Sequence, residues 1–350
     1  MKPPHVFKTG QMTASDAPLS ALSSASRPDV READRICERL SAVQQALGDI
    51  IFGQDTVIRQ TLVTILSGGH ALLVGPPGLG KTLLVTTLGT VLGLDARRVQ
   101  FTPDLMPSDI TGGEILDDDS TGRRSFRFVK GPVFCQLLMA DEINRASPRT
   151  QSALLQAMQE HHVSVAGTEH ALPQPFHVLA TQNPIEQEGT YPLPEAQLDR
   201  FMLQITLDFP PEDAERQMLL ATTGVSRPTA EAVLSTRGLI EAQNMVRAMP
   251  VGESIVEAIL TLVRAARPQT TPDQDLKNAI AWGPGPRAAQ TLMLATRARA
   301  LLDGRLSPSL DDVAALAQPV LAHRMALSFA ARADGLHPAA PLPRLVHPPG

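Results

Sequence analysis

Two hydrophobic periods alternate along the chain, and the points where one replaces the other predict its elements. In "READRICERLSAVQQALGDI" the apolar positions Ile36, Leu40, Val43 and Leu47 recur at helical spacing. "TVIRQTLVTILSGG" repeats that period until Gly68 and Gly69 stop it. "HALLVGPPGLGKTLLVTTLGTVLG" passes from an apolar run through glycines to a helical period, which predicts strand, loop and helix. Further apolar runs in "RRVQFT", "VFCQLLMADE" and "FHVLATQNP" alternate with helical stretches such as "SPRTQSALLQAMQE". Strands alternating with helices predict a parallel sheet covered on both faces.

After "LQITLDFPP" the helical period takes over. "EDAERQMLLATTG", "TRGLIEAQNMVRAM", "ESIVEAILTLVRAA", "PRAAQTLMLATRARALL" and "LDDVAALAQPVLAHRMA" carry it with no convincing strand between them. Two segments break the α/β alternation. "GGEILDDDSTGRRSFRFVKGPVF" and "HHVSVAGTEHALPQPFHVL" each place a turn between strand-like arms, which predicts two β-hairpins. The ends are rich in Ser, Ala, Thr and Pro without a period, so flexible tails are expected.

The 350 residues suit two domains plus tails. The expected boundaries are an N-terminal tail over 1–30, an α/β domain over 31–211, a smaller all-helical domain over 212–333 and a Pro-rich tail over 334–350. Hydrophobic residues make up 43% of the chain and aromatic residues 3%, so the core must be mainly aliphatic. A net charge of −5 supplies no basic footprint for nucleic acid. Cys37 and Cys135 have neither zinc nor CxxC spacing, which fits a reducing compartment. No apolar run approaches the roughly 18 residues that span a bilayer, and the N-terminus has no apolar signal region. These features lead us to expect a cytoplasmic protein.

Candidate chemistry sharpens that picture. "GPPGLGKT" (Gly75, Pro76, Pro77, Gly78, Leu79, Gly80, Lys81 and Thr82) matches GxxxxGK[ST] between a strand and a helix. Its glycines let backbone N–H groups curl around phosphate oxygens, and the helix N-terminus adds partial positive charge. Lys81 is placed to reach the β- and γ-phosphates, and the Thr82 hydroxyl to ligate Mg²⁺. "QLLMADE" ends a buried strand in Asp141 and Glu142, at the end of a parallel sheet where sites form. Asp141 suits the Mg²⁺ shell, and Glu142 suits orientation and deprotonation of water. Asn183, at the tip of "HVLATQNP", suits either the attacking water and γ-phosphate or a cap of the turn at Pro184. A guanine-reading NKxD is absent, and an acidic pair in place of a second-substrate site favours ATP hydrolysis over a small-molecule kinase.

In "LPEAQLDRF", Leu198 and Phe201 stand three apart and suit core anchors. Arg200 between them points elsewhere, towards a local carboxylate such as Asp199 or towards another subunit. Met202, Met218 and Met245 are expected in the core, and Asp117 to Asp119 at a solvated hairpin tip. His161, His162, His170 and His177 lack the spacing of a zinc site. Arg145 suits a local salt bridge and a subunit contact equally.

"GPPGLGKT", "ADEINRA", "ATQNP" and "LPEAQLDRF", with "FTPDLMPSDITG" and "GPGPRA", resemble the MoxR family of AAA+ ATPases over residues 35–333. That family is similar to the motor subunit of magnesium chelatase and shares its hairpin inserts in helix 2 and before sensor 1. The resemblance implies a P-loop α/β domain followed by a helical lid. It assigns Gly75 to Thr82 to Walker A, and Asp141 and Glu142 to Walker B. It assigns Asn183 to sensor 1, Arg200 to the arginine finger and Arg287 to sensor 2 at the start of a lid helix. Gly53 and Gln54 in "IIFGQD" resemble the segment against the adenine. Gly285 stands where many relatives carry Ser, which is expected to loosen that helix start. The resemblance implies ATP/ADP and Mg²⁺ as ligands, a hexameric ring as the homo-oligomer, and a separate protein client, with von Willebrand A domain proteins and metal-site maturation as the family pattern. A metal chelatase motor is the alternative. A nucleic-acid motor is disfavoured, because the activator-type loop "GAFTGA" and a basic tail are both absent.

Overall fold

The computed structural model describes residues 30–118, 124–185, 189–223 and 229–336. Most of both expected tails, and Asp119 at the first hairpin tip, lie outside the described residues. Five parallel strands form the central sheet: β1 (Ala71–Val74), β2 (Ala96–Gln100), β5 (Leu137–Asp141), β8 (His177–Gln182) and β9 (Leu203–Thr206). Their order is β2-β5-β8-β1-β9, so the strands ending in the P-loop, the acidic pair and Asn183 lie in the middle.

Strand alternation divides the core between the two sheet faces. Leu73, Met139, Leu179 and Leu203 pack on one face with α1 (Val30–Gly48), α2 (Asp55–Leu66) and α3 (Lys81–Val91). Leu72, Leu138, Ala140, Val178 and Ala180 pack on the other with α5 (Pro148–Glu160), through Leu154, Leu155 and Met158. The helical period of α1 is realised in full, with Ile36, Leu40, Val43 and Leu47 all buried.

Beyond Thr206 come α7 (Glu212–Thr222), α8 (Thr236–Ala248), α9 (Glu253–Ala265), α11 (Pro286–Leu302) and α12 (Leu310–Leu321). Helices α8, α9, α11 and α12 share the first core with α1 and α2. Two short strands, β10 (Ile280–Trp282) and β11 (Ala326–Leu327), pair antiparallel within this helical region, where no strand is expected from the sequence. Strands of three and two residues are too short to display a two-residue period.

Both hairpins form. The first joins β3 (Gly112–Asp118) to β4 (Arg124–Lys130), and the second joins β6 (His162–Val165) to β7 (Thr168–Ala171). They touch through Phe128, whose ring stacks on His170 at 3.8 Å between centroids. Among the described residues no helix is long and apolar enough to cross a membrane.

Candidate active site

The phosphate loop runs from the end of β1 into α3. Gly78 and Gly80 adopt φ of 87° and 73°, the left-handed region open to glycine at little cost. Gly75 is small for a different reason, since a Cβ there would lie 2.7 Å from the Leu207 carbonyl oxygen. Lys81 Nζ donates to the Gly75 carbonyl at 2.6 Å, folding its ammonium back over the loop. Lys81, Thr82, Asp141, Glu142 and Asn183 line one cavity of about 220 Å³ together with Pro77, Gly78 and Gly80. The strand ends therefore gather the expected phosphate, metal and water ligands around the helix N-terminus.

The acidic pair is held by a dense set of donors. Arg98 Nε and Nη2 both donate to Asp141 Oδ2, at 3.1 and 2.6 Å. Thr181 Oγ1 donates to Asp141 Oδ1 at 2.6 Å and accepts the Glu142 N–H at 2.8 Å. Glu142 has φ of 55°, a left-handed conformation at the start of the turn that follows the strand. Gln100 Nε2 donates to Glu142 Oε2 at 2.8 Å, and Arg145 Nε lies 3.0 Å from the same oxygen. Arg145 thus forms the local salt bridge of its two expected options. Asn183 is buried, and its Oδ1 accepts the Ile185 N–H at 3.1 Å, so it caps the turn and lines the cavity at once.

A second cavity of about 360 Å³ adjoins the first through Pro77, Gly78 and Gly80. Ile50, Ile51, Phe52, Leu79, Phe209 and Met218 give it apolar walls fit for a nucleobase. Gln54 lines it and donates from Nε2 to the Leu79 carbonyl at 2.9 Å. Gly53, with φ of 68°, faces α7 instead. A Cβ there would lie 2.5 Å from Ala214 Cβ, so glycine is what lets this segment press against the α7 start. Met218 corrects an expectation: it is 40% exposed on the cavity wall and is not a core residue. Phe209 and Met218 escape the sequence because their partners lie far away in the chain. Met202 and Met245 are buried as expected.

Arg200 and Arg287 lie outside both cavities. They line a separate one of about 110 Å³ with His70, Met158 and Gln159. Phe201 is fully buried and Leu198 packs beside it, which fixes the short helix α6 (Glu195–Leu198) and aims Arg200 away. Arg200 Nη1 donates to the Leu155 carbonyl of α5 at 2.6 Å. Asp199 does not steady Arg200. It accepts from Arg324 Nε at 2.7 Å and lies 3.5 Å from Arg287 Nη1. Arg324, itself buried, holds this corner by also donating to the carbonyls of Phe201, Met202 and Val320.

Buried histidines underlie this arginine face. Burial pushes His70 and His323 down to about 3, and His177 down to about 4. His70 Nδ1 accepts the Val178 N–H, His177 pairs with the Gly69 carbonyl, and His323 pairs with the Phe201 carbonyl. Among the described residues no group of His, Cys, Asp and Glu forms a metal cluster.

Residues 70–203 match the model of the ATPase family associated with various cellular activities (AAA), and residues 273–345 match the AAA lid domain. Chaperone MoxR1 of Mycobacterium tuberculosis is 44% identical over 83% of this chain and 76% of its own length. Protein MoxR of Paracoccus denitrificans is 33% identical over 86% of this chain and 93% of its own. The crystal structure of a candidate ATPase from Cytophaga hutchinsonii superposes with a TM-score of 0.85 at 36% identity, covering 94% of this chain and 98% of that one.

Proposed function

Because the chain belongs to the MoxR family of AAA+ ATPases, we propose that it hydrolyses ATP between adjacent copies of a ring and uses the cycle to remodel a separate protein client. One observation carries this reading. The cavity lined by Lys81, Asp141, Glu142 and Asn183 contains neither Arg200 nor Arg287, and those two arginines share a cavity of their own. A phosphoryl-transfer site needs positive charge on the γ-phosphate, and this chain keeps part of its supply on another face.

In this reading adenine enters the apolar pocket beside Gln54, and the phosphates lie along the loop under Lys81. Thr82 and Asp141 offer only oxygen donors, which suits Mg²⁺, and the Thr82 hydroxyl makes no hydrogen bond among the described residues. Bound magnesium would neutralise charge on the β- and γ-phosphates. Glu142 takes the proton of the attacking water. Asn183 spends its carbonyl on the Ile185 N–H, which leaves its NH₂ to orient that water or the γ-phosphate. Arg200 and Arg287 of one copy enter the phosphate cavity of the next. Arg287 opens α11, so its grip on a neighbour's phosphate ties the helical region to the nucleotide state. A client carrying a von Willebrand A domain, opened for metal-site maturation, fits the family pattern, and a hexamer is the ring size we adopt.

The test mixes two inactive variants. Glu142→Gln and Arg200→Ala should each bind ATP and fail to turn it over. Assemblies verified to contain both should regain hydrolysis, because some junctions then pair an intact Glu142 with an intact Arg200. Mixed assemblies without recovery would overturn the division of the site between copies.

A further inference from the structure

We propose that Arg98 is a positioning residue that competes with the divalent cation for Asp141, so that metal binding there works against a guanidinium of the same chain. The inference rests on the nucleotide reading above and adds to it a partner for Asp141 that the motif does not contain.

Geometry carries it. Strand β2 lies at the sheet edge beside β5, with Arg98 opposite Met139 and Gln100 opposite Asp141. Arg98 and Gln100 stand two apart, so both project to the face that carries Asp141. Arg97 projects to the other face and reaches towards Asp95. Arg98 gives Asp141 Oδ2 two hydrogen bonds, at 3.1 and 2.6 Å. Thr181 gives Oδ1 a third at 2.6 Å. Both donors belong to one guanidinium and converge on Oδ2, so its positive charge sits against that oxygen. A divalent cation bound through Oδ2 would meet that charge at contact range and repel it.

The pair is also placed to matter and to exchange. The Asp141 side chain is 12% exposed, so its carboxylate depends on the donors that reach it. The Arg98 side chain is 49% exposed, which leaves its guanidinium a path into solvent once displaced. Its Nη2 also donates to Gln100 Oε1 at 2.7 Å, which holds the guanidinium beside the carboxylate. Without metal, Arg98 compensates a largely buried carboxylate beside a phosphate site. With nucleotide and metal present, its departure removes one cation from a cavity that gains another.

The experiment measures metal affinity on the ADP-saturated full chain, with Mn²⁺ as the probe and the free-ion electron paramagnetic resonance signal as the readout. ADP binding in EDTA is measured first on every protein. Arg98→Gln should bind Mn²⁺ about tenfold more tightly than the parent, as expected for loss of a charge-assisted competitor. Arg98→Lys, a point charge without the planar fork, should fall between the two. A purely structural role for Arg98 predicts the opposite sign, because a disturbed β2 would weaken the site. Normal ADP binding with unchanged or weaker Mn²⁺ binding in Arg98→Gln would overturn the competition alone. Absence of ADP binding in the parent would overturn the nucleotide reading and this proposal with it.

Discussion

The phosphate cleft and the arginine face distribute charge in opposite ways. In the cleft each carboxylate is matched by a guanidinium of its own chain, Arg98 on Asp141 and Arg145 on Glu142. On the arginine face two guanidiniums share one carboxylate and a third turns to the backbone. Arg324 holds Asp199 at 2.7 Å, Arg287 reaches it only at 3.5 Å, and Arg200 settles on a neutral carbonyl. The cleft pairs both carboxylates within the chain and keeps the Lys81 ammonium over the loop, while on the face Arg200 is left with a neutral partner. An incoming phosphate thus meets Lys81 in the cleft and can draw a further guanidinium from the face.

Removing Arg200 tests the contrast between cleft and face most severely. Arg200→Ala should lower ATP turnover by about 10³-fold, within the range of a removed arginine finger, and leave ADP affinity within about tenfold of the parent. Steady-state hydrolysis and fluorescent-nucleotide binding measure the two quantities. If binding falls in proportion to turnover, Arg200 serves its own cleft and the contrast between the regions fails.

Acid should damage the face before the cleft. His70 lines the Arg200 cavity, His323 touches Phe201 beside Arg324, and His177 lies behind the Gly69 turn. All three are buried neutral, with folded values of about 3 to 4, below the ordinary 6.5. The unfolded chain therefore binds protons that the folded chain refuses as pH falls below 6.5. Stability is complete above that pH and is lost progressively down to the folded values. At pH 5.5 three such groups together cost about 4 kcal/mol. Urea unfolding at pH 7.5 and 5.5 measures the loss, and amide exchange at both values locates it. Equal stability at the two pH values would contradict the neutral histidines, and earlier exchange in the phosphate loop would reverse the order of the regions.

Arg324→Met tests what holds the face together. It removes the partner that holds Asp199 at 2.7 Å and the donor to four carbonyls, and should destabilise the fold by about 3 kcal/mol. Chemical denaturation gives the value. A loss below about 1 kcal/mol, the scale of an exposed pair, would show that Arg287 takes over Asp199 without strain.

The same comparison explains what the sequence makes legible. Contiguous chemistry is readable: the P-loop, the acidic strand end and Asn183 each announce themselves within a few residues, and the sheet brings them together. The helical periods of α1, α2 and α11 are long enough to read as well. Partners supplied across space are not. Nothing near Asp141 in the chain points to Arg98, nothing near Asp199 points to Arg324, and Thr181 looks like an ordinary strand residue until its hydroxyl is seen on Asp141. Met218 shows the converse failure. Its helical context suggests core, but α7 buries only Ala214, and the methionine is left on the nucleobase pocket.

A subtler substitution tests how firmly Arg287 is presented. Gly285 is the N-cap of α11 and supplies no side-chain acceptor, so the first helical N–H groups lack that partner. Its φ of −78° suits any residue, and a Cβ there would meet nothing within 4 Å. Gly285→Ser should therefore fit without strain and stabilise the helix start by a few tenths of a kcal/mol, the usual difference between glycine and serine at a cap. Amide exchange in the first turn of α11 is the measurement, since global unfolding will barely register the change. Slower exchange together with altered turnover would show that the set of Arg287 limits the arginine face. Slower exchange with unchanged turnover would assign that limit to Arg200, whose position depends on Phe201 and α5 instead of the α11 cap.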